Sequence, residues 1–489
     1  MAPAHIAILG GGLTGLSSAF HLSRRFPNSL ITLLDKETRL GGWARTKRIQ
    51  VKGADGKEGI VVIEAGPRTL RPNAKSVLEL INLLDLKSSL VTVSKSSPAA
   101  RNRYLRIPNH AGLEKIPSSL LSMPFSSLGR TMLLGGMRDI FSRRNRPPIS
   151  DESVDSFLAR RFGEKIARTF GSAIIHGIYA ADSRMLSLRA AFPSMWESED
   201  RGSGSVSMGF LRPVRKTETN TNHHYELGDV MDLMRDVSVY SFKDGIGSLT
   251  DTLAREIRKK PNVRVYSGVG VTSLRLSSGS KGFEVTTVSN ETLHPTHVVS
   301  ALPLPRLHSL LPPTLALPHL KTNPYTSVTV VNLVFSAPSG SSLHPPGFGY
   351  LVPRPDSGYT AEDAGILGCV FDSSATASQD NVDGIVKLTV MLGGPYPISP
   401  AHVEISTILR NLSIHLGVSL PQPLAVRIHS NANCIPMLGV GHVERMKDLK
   451  QVLEQEPWSG RLEVVGAGVG GVSVGDCVEA GRGVGQNWA

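Results

Sequence analysis

Apolar and polar positions change rhythm several times along this chain, and each change predicts an element. His5-Ile-Ala-Ile-Leu9 is a short apolar run, the pattern of a buried parallel strand. Leu13, Leu16 and Phe20 then share one helical face in the stretch that ends at Arg25, which predicts a helix lying on that strand's sheet. A second apolar run, Leu30-Ile-Thr-Leu-Leu34, stops at Asp35, and the residues from Ile60 to Ile63 read as another strand before a helix over Asn73 to Leu86.

From about Ser94 the chain becomes basic and proline-punctuated, with helical periodicity at Ser118 to Leu121, Thr131 to Phe141 and Asp151 to Ala173. In the second of these, Leu133, Met137, Ile140 and Phe141 share a face, with Arg130, Arg138, Arg143 and Arg144 at its rim. That pattern fits a core helix with a solvated edge and a helix docked on a membrane surface equally, because amphipathicity does not distinguish the two. Glu199 to Asp229, rich in Ser, Gly, Thr and Asn, reads as a mobile excursion. Order returns at Phe242-Lys-Asp-Gly-Ile-Gly247, with a helix through Ile257 and strands at Val263 to Tyr266 and Thr296 to Ala301. Val328 to Phe335, Gly365 to Phe371 and Ile385 to Leu392 alternate as strands of an antiparallel sheet, and Leu462-Glu-Val-Val465 is a last strand before a glycine run and a helix.

Between the first strand and the first helix stands Gly10-Gly-Gly-Leu-Thr-Gly15. Gly10, Gly12 and Gly15 fit G-x-G-x-x-G: one glycine permits the turn, one lets the backbone approach a pyrophosphate, and one lets helix pack on strand. The anion would rest on the N–H groups that open the helix, with the helix dipole behind them. Asp35, at the end of the next strand, stands where a carboxylate holds a ribose hydroxyl. Gly10, Gly11, Gly12, Leu13, Thr14, Gly15 and Asp35 are therefore candidate residues of a dinucleotide site.

At 489 residues the chain exceeds one ordinary domain, and 40% hydrophobic with 19% charged residues is a globular balance. Cysteines at 369, 434 and 477 are too scattered for a disulfide framework, and no H-E-x-x-H pairing occurs, so no metal is expected. The formal charge of +12 is local: Lys95 to Pro148 holds ten Lys or Arg against Glu114 and Asp139. No nucleic-acid motif accompanies the excess, and its neighbours are aliphatic, so an anionic membrane surface fits better than nucleic acid. No apolar run is long enough to span a bilayer. The first strand begins at about residue 5, so any targeting signal is expected to be internal.

Arg39-Leu-Gly-Gly-Trp-Ala-Arg45 resembles the second fingerprint of the FAD-dependent amine oxidase and desaturase superfamily, in which a glycine pair passes close to the flavin phosphates and an Arg offsets their charge. Glu64-Ala-Gly-Pro-Arg68 resembles that superfamily's next flavin contact, and FAD is therefore expected over NAD. Within the superfamily, several stretches resemble the protoporphyrinogen oxidase family in the family's order: Gly66-Pro-Arg-Thr-Leu-Arg-Pro72, Asn102-Arg-Tyr104, Gly177-Ile-Tyr-Ala-Ala-Asp-Ser183, Gly347-Phe-Gly-Tyr-Leu-Val-Pro353, Val390-Met-Leu-Gly-Gly394, and Asn433-Cys-Ile-Pro436 with Gly441-His442.

The resemblance implies an α/β fold: a discontinuous Rossmann-like FAD-binding domain (1–93, 236–303 and 426–489), an antiparallel-sheet substrate domain (304–425) and an inserted helical membrane-binding domain (94–235). It implies noncovalent FAD on Gly10 to Gly15, Asp35, Lys36, Trp43, Gly66, Pro67, Arg68, Thr69, Val271, Ala467, Val472, Ser473 and Val474. Gly466, Gly468 and Gly471 repeat the G-x-G-x-x-G spacing. With no further strand and acid after them they are expected to cap the flavin, with a helix N-terminus facing it, and not to bind a second dinucleotide. On the substrate side, Arg103 falls on the family's propionate-gripping arginine, Gly177 lies beside the tetrapyrrole, and Leu333 and Leu351 are candidate apolar walls.

The implied reaction is oxidation of protoporphyrinogen IX in heme biosynthesis. Six hydrogens leave in three flavin cycles, and dioxygen reoxidises the flavin to hydrogen peroxide. The implied place is the mitochondrial inner membrane, peripheral, on the intermembrane-space side; a homodimer and ferrochelatase are left open as partners. Two rivals stand beside this reading. One is an amine oxidase, whose Ser-Gly-Gly-Cys-Tyr flavin attachment this chain lacks. The other is a catalytically silent flavin- or porphyrin-binding protein.

Overall fold

Short runs that are apolar at every position have no solvent face to offer, and here they assemble into a sheet covered on both sides. The computed structural model describes residues 2–53, 56–108, 112–142, 150–213, 224–277, 282–337, 342–360, 365–397 and 403–488. His5–Leu9 (β1) is the central strand of a five-stranded parallel sheet, and its last four residues are fully buried. Leu13–Arg25 (α1) crosses over to Leu30–Asp35 (β2), which pairs with β1 in a register that sets Ile8 against Leu33. The strand order is Leu462–Val464, His297–Ser300, β1, β2, Val263–Ser267. One sheet thus collects strands from the start, middle and end of the chain. The last helix, Val474–Gly483, packs on α1 so closely that a side chain at Gly481 would overlap the Thr14 carbonyl.

The alternating strands form a seven-stranded sheet in the order Ala425–Pro436, Tyr325–Ser336, Ile385–Gly393, Ile366–Phe371, Gly349–Leu351, Tyr104–Leu105, Glu114–Lys115. All neighbours are antiparallel except Gly349–Leu351 and Tyr104–Leu105. The sheet therefore takes in residues on both sides of position 425, and two short strands from the stretch after 94. Local pattern could not place those short strands, because two residues carry no periodicity of their own.

The basic stretch is helical, and its longest helix, Ser127–Phe141, is built inside out. Its buried positions are Leu128, Gly129, Gly135 and Asp139, whereas Leu134, Met137, Ile140 and Phe141 are exposed. The preceding turn, Leu120–Phe125, adds Leu121 and Phe125 at 86% and 88% exposed. Leu133 is half-buried, so the outward face is rotated from the expected one, and Arg143 and Arg144 lie outside the described residues. The fully buried Asp139 accepts from Arg161 Nε at 2.7 Å and Ser205 Oγ at 2.8 Å, as well as from the Val206 and Ser207 backbone N–H groups. Those last donors come from the stretch expected to be mobile. Over its described part it forms the helices Pro193–Arg201 and Val206–Leu211. Its serine and glycine serve close packing and hydrogen bonding: a side chain at Gly209 would overlap the Ser198 carbonyl.

Candidate active site

The N-terminus of α1 is left bare. Its capping position, Gly12, has no side chain to bond, and the first turn carries no acid, so the free N–H groups and the helix dipole present an anion site. The second glycine pair lies directly over it: a Cβ on Gly42 would come within 3.2 Å of Gly12 Cα, and Gly41 N donates to Gly11 O at 2.8 Å. A methyl at Gly15 would overlap the Gly10 carbonyl oxygen, and Gly10 has a φ of +101°, so neither position accepts another residue without displacing α1.

Asp35 Oδ2 accepts from Gly11 N at 2.6 Å, and Oδ1 accepts from Glu37 N at 2.7 Å. Each oxygen keeps lone-pair capacity for a ribose hydroxyl. Val269 N and Gly268 N donate to the carbonyls of Asp35 and Glu37, which sets Gly270 against the exposed Lys36, while Val271 turns into the core with Leu34. These features fit the ribose and pyrophosphate of a dinucleotide.

Gly66 sits against the Trp43 carbonyl, where a side chain would clash, so the Gly66–Thr69 stretch is brought to the glycine loop. Trp43 itself is half-exposed. The Arg39 guanidinium donates to the carbonyls of Leu40 (2.8 Å), Ala44 (3.1 Å) and Gly42 (2.5 Å), so it ties the loop together. Arg68 is buried and turned inward, with Nη1 3.1 Å from Asp372 Oδ1, which leaves only its backbone for a cofactor.

The Gly466–Gly471 turn follows Leu462–Val464 at the carboxyl edge of the parallel sheet, the edge at which such sheets bind ligands. Gly466 faces the Thr14 side chain at the end of α1. The helix begins only at Val474, because Ser473 Oγ accepts from Asp476 N at 3.1 Å and the Asp476 carboxylate accepts from Ser473 N at 3.0 Å. That capping box takes up the N–H groups of Ser473 and Asp476 and leaves those of Val474 and Gly475 outside it. Ala467, Val472, Ser473 and Val474 line the approach between turn and helix.

In the seven-stranded sheet, Arg103 precedes the strand Tyr104–Leu105, which pairs Leu105 with Leu351. A Cβ on Gly177, in the helix Ser172–Tyr179, would lie 2.7 Å from Leu351 Cδ2. Arg103, Leu351 and Gly177 thus sit on three adjoining elements. The Arg103 guanidinium lies 5.0 Å from the Phe348 ring centre, with Nη1 buried and without a hydrogen-bond partner. Burial, and then the charge of Arg71, push its pKa down, and no acid among the described residues neutralises it. A half-buried cation so placed has a donor to offer a carboxylate.

Leu333 does not join this group. It is fully buried in a cluster with Leu388, Ile408 and Leu412, under the helix Ile405–Leu416. Its neighbour Asn332 points to the opposite face, donating to the Glu64 carbonyl at 3.2 Å. In a strand, adjacent side chains take opposite faces, so Leu333 is core and not a pocket wall.

Sequence reasoning missed the cluster where the two-stranded hairpin of Thr46–Lys52 and Glu58–Glu64 packs on the seven-stranded sheet. Glu64, Arg68, Asn332, Asp372, Lys387 and Thr389 are among the residues that line a small cavity of about 10 Å³. Burial pushes the Glu64 carboxyl up to about 7, against the bonds it accepts from Ile246 N at 2.7 Å and Thr46 Oγ1 at 2.8 Å. An acid ending an apolar strand, just before Gly-Pro-Arg, was the available signal.

The profile of the family described as flavin containing amine oxidoreductase matches residues 13–485. A curated protein of Schizosaccharomyces pombe named protoporphyrinogen oxidase is 32% identical, covering 98% of this chain and 97% of its own length. The Homo sapiens protein of that name is 31% identical, with coverage of 98% and 96%. A solved structure from Exiguobacterium sp. 255-15, provisionally described as a protoporphyrinogen oxidase, superposes with a TM-score of 0.76 at 22% identity, over 99% of this chain and 98% of the other. That last likeness concerns the fold, and it spans both sheets and the helical segment. A bare helix end over paired glycines, a matched ribose acid and a full-length profile match lead to one assignment: this chain belongs to the flavin containing amine oxidoreductase family, and its cofactor is FAD.

Proposed function

We propose that this chain oxidises protoporphyrinogen IX to protoporphyrin IX, a late step of heme biosynthesis. The observation that carries the reading is identity of 31–32%, sustained over 98% of the chain, to curated proteins bearing that name. Arg103 supports it, because a guanidinium without an acidic partner suits a substrate that ends in propionates.

FAD, when bound, supplies the redox chemistry, taking electrons from the substrate two at a time and passing them to dioxygen. The chain's own part is placement. Gly10 to Gly15, Gly41 and Gly42 would hold the pyrophosphate, and Asp35 the ribose. Arg103 fixes the carboxylate tail through paired N–H donors, while Leu351, packed on Gly177, offers an apolar wall that excludes water from one face of the macrocycle. Such fixed orientation converts an encounter into a unimolecular step. The test is fluorescence detection of porphyrin formed by FAD-loaded protein from protoporphyrinogen, with anaerobic bleaching of the flavin absorbance alongside. A yellow protein that neither bleaches nor forms porphyrin above the spontaneous rate would be a silent binder.

The proposal extends to a peripheral position on an anionic membrane, the mitochondrial inner membrane on its intermembrane-space side. Its support is the inside-out helix: Leu134, Met137 and Phe141 with Leu121 and Phe125 form an outward apolar face flanked by Arg130 and Arg138. Among the described residues no helix is long and apolar enough to cross a membrane. Leu121→Glu with Phe125→Glu is expected to abolish cosedimentation with cardiolipin-containing vesicles, and undiminished cosedimentation refutes the docking surface. Fractionation of tagged protein tests the compartment.

A further inference from the structure

His442 opens the helix His442–Glu454 and is 2% exposed, and its ring is fixed at both nitrogens. Nε2 lies 2.9 Å from the Val469 carbonyl oxygen, and Nδ1 lies 2.8 Å from Asn323 Nδ2. A carbonyl oxygen only accepts, so the ring proton is on Nε2 and Nδ1 accepts from the amide. The amide is oriented from its other end, where Asn323 Oδ1 accepts from Arg445 Nη2 at 3.2 Å. Burial pushes the His442 pKa down, in keeping with a neutral ring. Donation thus runs in one direction, from Arg445 through Asn323 and His442 to the carbonyl of Val469.

Val469 lies inside the Gly466–Gly471 turn. That stretch is nearly devoid of side chains, so bonds to its backbone must decide where it stands. Its own bonds, Val469 N and Gly470 N to Gly466 O at 3.0 and 3.3 Å, fix its shape but not its position. The turn sits at the carboxyl edge of the parallel sheet, with Gly466 against Thr14 at the bare end of α1.

We propose that His442 is a positioning residue for the flavin, holding the Gly466–Gly471 turn in place through its Nε2–H donation to Val469. The inference rests on the FAD site described above. A pair of substitutions isolates the bond, because a glutamine amide reaches the Nε2 position and donates there, whereas an asparagine amide reaches only the Nδ1 position.

Apoprotein would be titrated with FAD, following flavin fluorescence, with the melting temperature of each apoprotein as the folding control. His442→Asn is expected to raise the dissociation constant about tenfold, the loss of one net hydrogen bond, while His442→Gln stays near wild type. Equal weakening by both, or no weakening by Asn, overturns the assignment. Should His442→Asn fail to fold, Asn323→Ala carries the test: it leaves Nδ1 without its donor and frees the ring, so affinity is expected to fall, and unchanged affinity overturns the proposal. Wild-type protein that binds no FAD would instead sink the cofactor site itself, a separate result.

Discussion

Glu64→Gln tests whether the seam between the hairpin and the seven-stranded sheet holds a protonated carboxyl at neutral pH. The side chain is 6% exposed, and its nearest guanidinium, Arg68, is already bonded to Asp372. Burial lifts its pKa from 4.5 to about 7. The folded protein therefore keeps a proton that the unfolded chain releases. The associated stability is fully present below pH 4.5, and it is lost as pH rises through about 7. A shift of this size amounts to about 3 kcal/mol by pH 8 and less than about 1 kcal/mol at pH 5. Glutamine has the shape of the neutral carboxyl and does not titrate. Its carbonyl accepts from Ile246 N and its amide donates to Thr46 Oγ1. Urea denaturation of FAD-loaded wild type and variant at pH 5 and pH 8 reads the difference. The two are expected to be nearly equal at the lower pH, with the variant more stable by up to about 3 kcal/mol at the higher. Identical pH dependence in both proteins would refute a neutral Glu64.

Other outcomes follow from single contacts. Arg103→Ala is expected to lower kcat/KM by about 10- to 100-fold, mainly through KM, since it removes a charge-assisted grip; unchanged steady-state kinetics would dismiss the propionate role. Gly15→Ala forces α1 off the Gly10 carbonyl, so the purified variant should come out colourless, and a full flavin complement would contradict the close-packing argument. Asp139→Ala leaves Arg161, which is 1% exposed, with only Glu199 at 3.8 Å as an acidic neighbour, and should cost about 3–5 kcal/mol; a melting temperature within a degree or two of wild type would show that the pair carries little of the helical unit's stability.

The reading of particular elements differed in success for physical reasons. The family resemblance puts Leu333 beside a substrate, yet a one-residue step decides which face such a side chain takes, and only the pairing with Ile385–Gly393 and the Asn332 bond to Glu64 fix that step. Arg39 and Arg68 lie in motifs expected to meet the flavin, and both guanidinium groups bond within the protein, one to neighbouring carbonyls and one to a carboxylate 304 positions away. The composition of the stretch after Glu199 suggested mobility, whereas its serines and backbone N–H groups close around Asp139.

The sequence by itself determined the strand–turn–helix at Gly10 to Gly15, the acid at the end of β2, the parallel arrangement of the apolar runs and the family. Each depends on backbone conformation or side-chain size within a few positions, and so is written locally. Tertiary structure alone decided which cations are neutralised, which apolar face of Ser127–Phe141 turns outward, and that His442 reaches the last glycine turn. Those outcomes depend on burial and on distances between residues far apart in the chain, and the periodicity of a segment contains neither.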